Sequence, residues 1–363
     1  MPSPDAIILP EVSTVAIRLD QVQTFINSMV LIKTSEELSG LNPWVYETAA
    51  ALTEDQREQH NLVIIGFHYS IVPTRYWKDF PTFLAHLESR DPIALRDQVL
   101  DFYLGYKPSE AVEKVVDATK ESLLADVDFF LDYLRSKFGE ESIDIKIESR
   151  AFELLNEPSQ MKNEIVTHLR FMWEEYYLAE WDRIRPMLAD AVMAFEEIDF
   201  SGMSRAETVK YITGKDTIGC IEETLTENVH NLVFVPSAHN GPYLGRFQYK
   251  NTEGIIFGAR LPKDTEIHAP DLSRNDITVR LSALADDLRL QILKLLAEEG
   301  EMRSQEVMER LELSQSAASR QLNQLSATGY LNSRRCSGAK CYSLNSERIQ
   351  DTLRAVGAFL LCE

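Results

Sequence analysis

The sequence predicts a mainly α-helical α+β protein, and three observations support this fold class. Up to about residue 200, apolar residues recur at helical spacing behind capping residues and prolines. From Asn231 the pattern changes to short β-branched and aromatic runs, which indicate a small antiparallel sheet. From Asp276 to the end, short helical segments alternate with short extended ones. A chain of 363 residues is long enough for two or three domains.

The composition is that of a globular protein, with 44% hydrophobic and 26% charged residues. No apolar run reaches the about 18 residues that a membrane span needs, and the N terminus shows no export signal. The cysteines lack the dense spacing of a disulfide framework; they are Cys220, Cys336, Cys341 and Cys362. We therefore expect a cytoplasmic protein with no membrane partner.

The formal net charge of −20 is distributed unevenly along the chain. The residues before Asp276 include 26 basic and 45 acidic ones, whereas the rest include 11 basic and 12 acidic ones. Within the second part, residues 313–346 contain no carboxylate but include Arg320, Arg334, Arg335 and Lys340. Because phosphate groups bind cations, this stretch is a candidate surface for a polyanion.

Capping residues and prolines mark the helices of the N-terminal region. The predicted starts are Asn42–Pro43, the capping box of Thr53 with Gln56, and Asp91–Pro92. One apolar stripe predicts a single helix from Lys120 to Phe138. Pro158 opens a long helical run that Pro186 is expected to kink or divide.

Three strands and a linker are predicted next. The strands are Asn231–Val235, Arg246–Tyr249 and Gly254–Ala259, and the linker surrounds Pro262 and Pro270. The sequence thus predicts a mostly helical accessory domain over residues 1–270, ending in a small antiparallel sheet. Residues 271–363 form a second domain.

The second domain begins with helical segments joined by tight connections. Asp286 is expected to cap a helix that ends at Gly300, with an extended piece at residues 302–303. Ser304 is then expected to cap the helix SQEVMERL, and Ser314 the helix QSAASRQLNQLSAT. Two short helices separated by a tight turn predict a helix-turn-helix, whose second helix reads bases in the major groove.

The second helix has distinct inner and outer residues. Ala318, Leu322 and Leu325 recur at the spacing of a buried face. The candidate DNA contacts are Ser314, Gln315, Ser316, Ser319, Arg320, Gln321 and Asn323. Their short side chains permit close approach, their amides suit adenine, and Arg320 suits guanine or phosphate.

The sequence YLNSRRC-SGAK-CYSLN predicts two strands around a glycine turn, which form a β-wing. Arg334, Arg335 and Lys340 are candidates for gripping the DNA backbone or minor groove. Cys336 and Cys341 flank the turn and are expected to face one another. They are either a redox or thiol–metal site or, the interpretation we favour, residues packed under the wing, because two thiols fall short of a closed zinc site.

The last helix, Glu347 to Leu361, carries a seam suited to a partner helix. The seam consists of Ile349, Leu353, Val356 and Leu360.

In combination, these C-terminal residues resemble the ArsR-type winged-helix repressors. The resemblance rests on ALAD followed by RLQILKLL between Ala283 and Leu296, on SQSAASRQLNQL, and on Gly329-Tyr330-Leu331 with Arg334-Arg335, Gly338, Tyr342 and Leu344. It implies a symmetric dimer built from the first and last helices of the domain. The implied interface residues are Ile277, Leu281, Leu284, Ile349, Leu353, Val356 and Leu360. Such a dimer binds double-stranded DNA at a palindromic operator with half-sites ~34 Å apart.

The sequence departs from this family where its metal-sensing members bind metal. Glu312, Leu313 and Ser314 stand at the turn where those members carry paired cysteines, and the last helix has no histidine. Asp287 also stands where the family often has proline. We therefore expect no metal and no cofactor.

His239 and Tyr243 lie in the polar loop PSAHNGPYLG. Either they line a ligand pocket or, the interpretation we favour, they belong to a structured turn. No nucleophile elbow, Walker loop, HExxH or dinucleotide fingerprint is present, so we do not expect an enzyme. The resemblance implies a homodimeric regulator that acts as a repressor, and we expect its accessory domain to sense a small organic ligand. The alternative is a DNA-binding tail fused to an enzyme or to a protein-interaction domain.

Overall fold

The computed structural model describes residues 14–106, 117–139, 143–196, 198–215, 231–249, 251–260, 274–336 and 339–361. These residues form two compact units. The helical unit comprises the described residues of Asp20–Lys33 and Glu47–Arg183, and the C-terminal unit those of Met1–Leu19, Thr34–Tyr46 and Ile184–Glu363. The predicted domain boundary at residue 270 and the predicted linker lie outside the described residues, as do Cys220 and Cys362. Within the described ranges, no helix is both long and apolar enough to cross a membrane.

Between Gln21 and Glu196 the described residues are mostly helical, as their periodicity predicts, whereas the strand at Thr14–Ile17 was not predicted. The helices are α1 (Gln21–Lys33), α2 (Pro43–Ala51), α3 (Glu54–Asn61), α4 (His68–Ile71), α5 (Phe80–Ser89), α6 (Pro92–Gly105), α7 (Lys120–Ala125), α8 (Val127–Phe138), α9 (Ile145–Leu155), α10 (Pro158–Met172) and α11 (Leu178–Glu196). Two π-helical turns, Leu62–Gly66 and Trp173–Tyr177, interrupt the α-helical pattern.

The predicted caps at Thr53 and Asp91 are confirmed, but one predicted helix is divided. Thr53 and Gln56 form the capping box of α3, and Asp91 accepts a hydrogen bond from the Ala94 N–H at 2.8 Å. The single helix predicted from Lys120 to Phe138 is wrong, because the Asp126 carboxylate accepts from the Phe129 N–H at 2.8 Å and starts α8. Pro186 lies inside α11 without dividing it.

A four-stranded sheet and one helix form part of the C-terminal unit. The strands are β1 (Thr14–Ile17), β2 (Asn231–Ser237), β3 (Gly245–Tyr249) and β4 (Thr252–Gly258), and the helix is α12 (Arg205–Thr213). The strand order is β1-β2-β4-β3. Their core consists of Phe195, Val209, Ile212, Leu232, Phe234, Ile255 and Phe257.

The expectation of a purely antiparallel sheet is wrong. Only the β3–β4 hairpin is antiparallel, whereas β2 runs parallel to both β1 and β4. In the hairpin, β3 pairs with one edge of β4 and is the last strand of the sheet. The other edge of β4 pairs with β2. Inside the hairpin Phe247 covers Gly254, where an added Cβ would lie 1.9 Å from the ring. Any larger residue at this position would force the Phe247 ring to move.

The remaining elements follow one another closely in the chain. They are α13 (Arg274–Leu284), α14 (Asp287–Glu299), β5 (Met302–Arg303), α15 (Ser304–Leu311), α16 (Gln315–Ala327), β6 (Leu331–Cys336), β7 (Ala339–Leu344) and α17 (Ser346–Leu361). The second sheet is antiparallel with the order β5-β7-β6. Its core includes Ile292, Leu296, Val307, Leu322, Leu325 and Tyr330. The predicted class, a mainly helical α+β protein with a C-terminal winged helix-turn-helix, is confirmed.

Candidate nucleic-acid interface

The turn between α15 and α16 depends on a left-handed residue. Glu312 has φ +53°, the only positive φ of a non-glycine residue in the described chain. This conformation ends α15 and lets the Leu313 N–H donate to the Met308 carbonyl at 2.9 Å. Ser314 then caps α16, because its Oγ accepts from the Ala317 N–H at 3.3 Å. The predicted cap at Ser314 is confirmed.

The predicted cap at Ser304 is wrong, because Ser304 is the first residue of helix α15. The preceding residue, Arg303, donates its N–H to the Glu306 carboxylate at 2.6 Å. That carboxylate supplies an acceptor at the helix N terminus in place of a serine hydroxyl.

Helix α16 has the two faces that the sequence predicts. Ala318, Leu322 and Leu325 are fully buried. Of the candidate contacts, those that are exposed are Ser314, Gln315, Ser316, Ser319, Arg320 and Asn323. Gln321 is half-buried, and its Oε1 accepts a hydrogen bond from the Arg289 guanidinium at 3.2 Å. The outer face of α16 therefore combines small hydroxyls, amides and one cation with no carboxylate.

The wing carries a carboxylate that its own sequence lacks. Glu301, just before β5, forms a two-point ion pair with Arg334 on β6, with oxygen–nitrogen distances of 2.6 and 2.5 Å. The Arg334 guanidinium lowers the pKa of the Glu301 carboxyl below its ordinary value. Residues 313–346 contain no acid, but their surface in three dimensions includes one. Pairing of β5 with β7 brings Glu301 to the surface of the wing. No local sequence pattern predicts that pairing.

The other two wing cations are placed by the β6–β7 ladder. Lys340 is exposed and lies opposite Arg335 in the register. The side chain of Arg335 and the wing turn with Gly338 lie outside the described residues.

The wing cysteines do not face one another as expected. In the ladder Cys336 lies opposite Ala339, and Cys341 lies opposite Arg334. Diagonal neighbours in a ladder have Cα atoms about 7–8 Å apart, beyond the usual disulfide range. Cys341 is buried, as the packing interpretation predicts. Among the described residues no group of three or more His, Cys, Asp or Glu residues is placed to hold a metal ion.

Helices α13 and α17 pack together and expose apolar side chains. The Tyr330 hydroxyl lies 3.1 Å from the Arg280 carbonyl on α13 and 3.1 Å from Thr352 Oγ1 on α17. Of the interface candidates, Ile277 is buried within the protomer, Leu284, Ile349 and Val356 are half-buried, and Leu281, Leu353 and Leu360 are exposed. The last three are the members of the implied interface that are most accessible to a partner.

His239 and Tyr243 are both engaged within the C-terminal unit. His239 is fully buried and stacks on Trp44, with ring centroids 4.4 Å apart. The Tyr243 hydroxyl donates to the Ser39 carbonyl at 3.1 Å and accepts from the Ser39 N–H at 3.3 Å. These contacts agree with a structured turn.

Residues 286–333 match the family model described as "Bacterial regulatory protein, arsR family". The match runs from the cap of α14 through α15, the turn and α16 into β6. The C-terminal part of the chain therefore contains an ArsR-type helix-turn-helix, an element of DNA-binding transcription regulators. None of the curated proteins matches the chain.

Proposed function

We propose that the chain is a homodimeric, sequence-specific DNA-binding regulator that represses transcription, and that it is not an enzyme. One observation carries the proposal: an ArsR-type helix-turn-helix presents an exposed outer face, Ser314 to Asn323, without any carboxylate. Phosphates and base edges are electron-rich, so a recognition surface needs donors and cations and avoids acids.

In this mechanism the N-terminal half of α16 enters the major groove. The small Ser316 and Ser319 let the helix backbone approach the bases, and its unpaired N–H groups face a phosphate. Gln315 and Asn323 have the donor and acceptor pair that matches adenine, and Arg320 suits guanine or phosphate. Arg334 and Lys340 hold the backbone beside the major groove and contribute affinity more than sequence preference.

Dimerisation would place two copies of α16 against a palindromic operator with half-sites ~34 Å apart. The exposed leucines of α13 and α17 support such a dimer, because the two helices pack together and large apolar side chains exposed to solvent favour an interaction site. Two copies meeting about a twofold axis would each cover the other's seam.

The residues before α13 are proposed to sense a small organic ligand. The ligand would change operator affinity only if it bound the free and DNA-bound conformations with different affinity. The large excess of acidic residues before Asp276 supports a separate role for this region. Its negative charge is repelled by the negatively charged DNA, so DNA binding is confined to the C-terminal domain.

The experiment is selection of genomic DNA fragments by the purified full-length protein, followed by mobility-shift titrations at increasing salt. We expect the recovered fragments to share an inverted repeat and their affinity to fall steeply with salt. Arg320→Ala should abolish the selectivity, whereas Arg150→Ala, which removes an equal charge from an exposed side chain on α9, should not. Failure to select any fragment over bulk DNA would contradict the proposal and favour an interaction module.

A further inference from the structure

Arg289 is a buried cation at the centre of the helix-turn-helix. Its side chain lies on α14 with 7% of the residue exposed. Its Nε donates to the Ala283 carbonyl at 2.6 Å, and its Nη2 donates to the Ser282 carbonyl at 2.9 Å. Both carbonyls belong to the last turn of α13, where helical carbonyls lack partners within their own helix.

The same guanidinium also reaches the inner side of α16. Nη1 donates to the Gln324 Oε1 at 2.9 Å and to the Gln321 Oε1 at 3.2 Å. Gln324 is itself buried. One planar group therefore joins the end of α13 to two side chains of the recognition helix. The five fixed donors of arginine make this bridge possible, whereas lysine offers a single compact point of charge.

The hydrogen-bond acceptors around the Arg289 guanidinium are neutral carbonyl and amide oxygens. The nearest carboxylate, Asp286, lies 3.7 Å from Nη1 and is partly exposed, while its other oxygen caps α14 by accepting from the Arg289 N–H at 3.0 Å. A buried cation held by carbonyls and amides depends on their arrangement, because a displaced acceptor would leave a buried donor unsatisfied. The bridge thus ties the orientation of α16 to that of α13.

We propose that Arg289 is a positioning residue that sets the orientation of the recognition helix relative to α13. This inference rests on the proposed function. Helix α13 carries Leu281 of the proposed dimer interface, so its orientation to α16 determines where the two recognition helices of a dimer lie. Arg289 thereby selects the half-site spacing that the dimer accepts, without touching DNA.

The bridge also constrains how Gln321 reads a base. Reading adenine uses the amide as both acceptor and donor, and the Oε1 of Gln321 is already engaged by Arg289. That oxygen keeps a second lone pair, so the bridge leaves it able to accept from a base but fixes the direction in which the amide faces. Loss of Arg289 removes this constraint and changes base preference at this position.

The test compares full-length wild-type protein with Arg289→Met and Gln324→Met on operators recovered by genomic selection and on random DNA. Each operator is also made with one base pair added between its half-sites. We expect both variants to bind the operator at least about tenfold more weakly, the cost of about one mismatched base pair. Their affinity for random DNA and its salt dependence should stay unchanged, because neither side chain contacts phosphate. The preference for the native spacing should be lost.

Gln291→Ala is the matched control, because Gln291 lies on α14 and pairs with exposed Asp287 rather than with α16. Gln324→Met keeps the proposal testable if Arg289→Met fails to fold, since it replaces one neutral acceptor by an apolar group of similar size. The double variant should bind the operator no more weakly than the single variant with the lower affinity. This non-additivity is expected for two partners in one bridge.

A purely stabilising role would lower the melting temperature but leave spacing preference intact well below it, and that result would overturn the positioning proposal alone. Equal losses on operator and random DNA would overturn it as well. Absence of salt-sensitive, selective binding by the wild-type protein would overturn the proposed function, and this inference with it.

Discussion

Glu301 holds Arg334 in a two-point ion pair at the base of the wing, with contacts of 2.6 and 2.5 Å. The Arg334 side chain remains largely exposed, so the pair sits in solvent and is weak by the standards of buried ion pairs. A phosphate that binds the Nε and Nη2 edge of Arg334 must replace the Glu301 carboxylate. In the absence of DNA, the positive charge of Arg334 on the wing is therefore partly neutralised by Glu301.

Replacing Glu301 by Gln should strengthen DNA binding by about threefold, because the phosphate no longer competes with a carboxylate. The salt dependence should steepen, since Arg334 then neutralises a phosphate fully and the DNA releases the cation that was bound there. Glu298→Gln is the control for charge alone, because Glu298 is exposed on α14 and lies near Lys294. Mobility-shift titrations measure the DNA affinity of both variants. An equal increase in affinity would mean that only the net charge is responsible.

Arg334→Ala combined with Lys340→Ala should weaken binding to every DNA sequence and reduce the salt slope by about two. Gln315→Ala should instead change sequence preference while general affinity is nearly kept, because a base contact carries the specificity. Titrations on operator and random fragments separate the two effects. Identical behaviour of the two variants would refute the assigned roles.

Leu353→Glu should convert the proposed dimer into monomers, because it places a charge on the exposed seam of α17, where this leucine is 59% exposed. Leu290→Glu is a matched control, since Leu290 on α14 is 49% exposed and lies outside the seam. Molar mass by light scattering should halve for the first variant only. An unchanged mass for Leu353→Glu would remove this seam from the interface.

In the helical unit, two buried histidines form a pair with defined protonation. His60 Nε2 lies 2.9 Å from the Met29 carbonyl, which can only accept, so this nitrogen carries the proton. His60 Nδ1 then accepts from His168 Nε2 at 3.0 Å. Burial lowers the pKa of His60 to about 4, and burial together with the neighbouring His60 lowers that of His168 to about 3.

Because the folded protein keeps both rings neutral, the unfolded chain binds more protons below about pH 6.5. The free energy of unfolding should therefore fall as pH drops from about 6.5 towards 4, by up to about 1.4 kcal/mol per pH unit for each histidine. Denaturant titrations of the wild type and His168→Gln measure this. The variant should show a shallower decline, and equal slopes would contradict the neutral pair.

Glu148 should act in the opposite direction. It is 4% exposed, its Oε2 has no hydrogen-bond partner among the described residues, and burial raises its pKa to about 7. A carboxyl with a raised folded-state pKa costs stability as pH rises from its ordinary value through 7. Glu148→Gln should raise the melting temperature more at pH 8 than at pH 5. Glu153→Gln, exposed on the same helix, should not, and a pH-independent gain would refute the raised pKa.

The sequence alone determined the local elements of this protein. The caps at Thr53, Asp286 and Ser314 lie beside the N–H groups they satisfy, and the buried spacing of Ala318 and Leu322 follows from helical geometry. Those signals were sufficient to predict the helix-turn-helix, the exposed face of α16 and the two wing strands.

Only the tertiary structure decided the contacts between distant segments. Thr14 pairs with Asn231 in a parallel ladder, Glu301 reaches Arg334, and Arg289 bridges two helices. Each of these depends on how separately formed elements pack, and residues far apart in the chain carry no shared local pattern that predicts their pairing. For the same reason a stretch without acids in the sequence became, in three dimensions, a surface with one carboxylate on it.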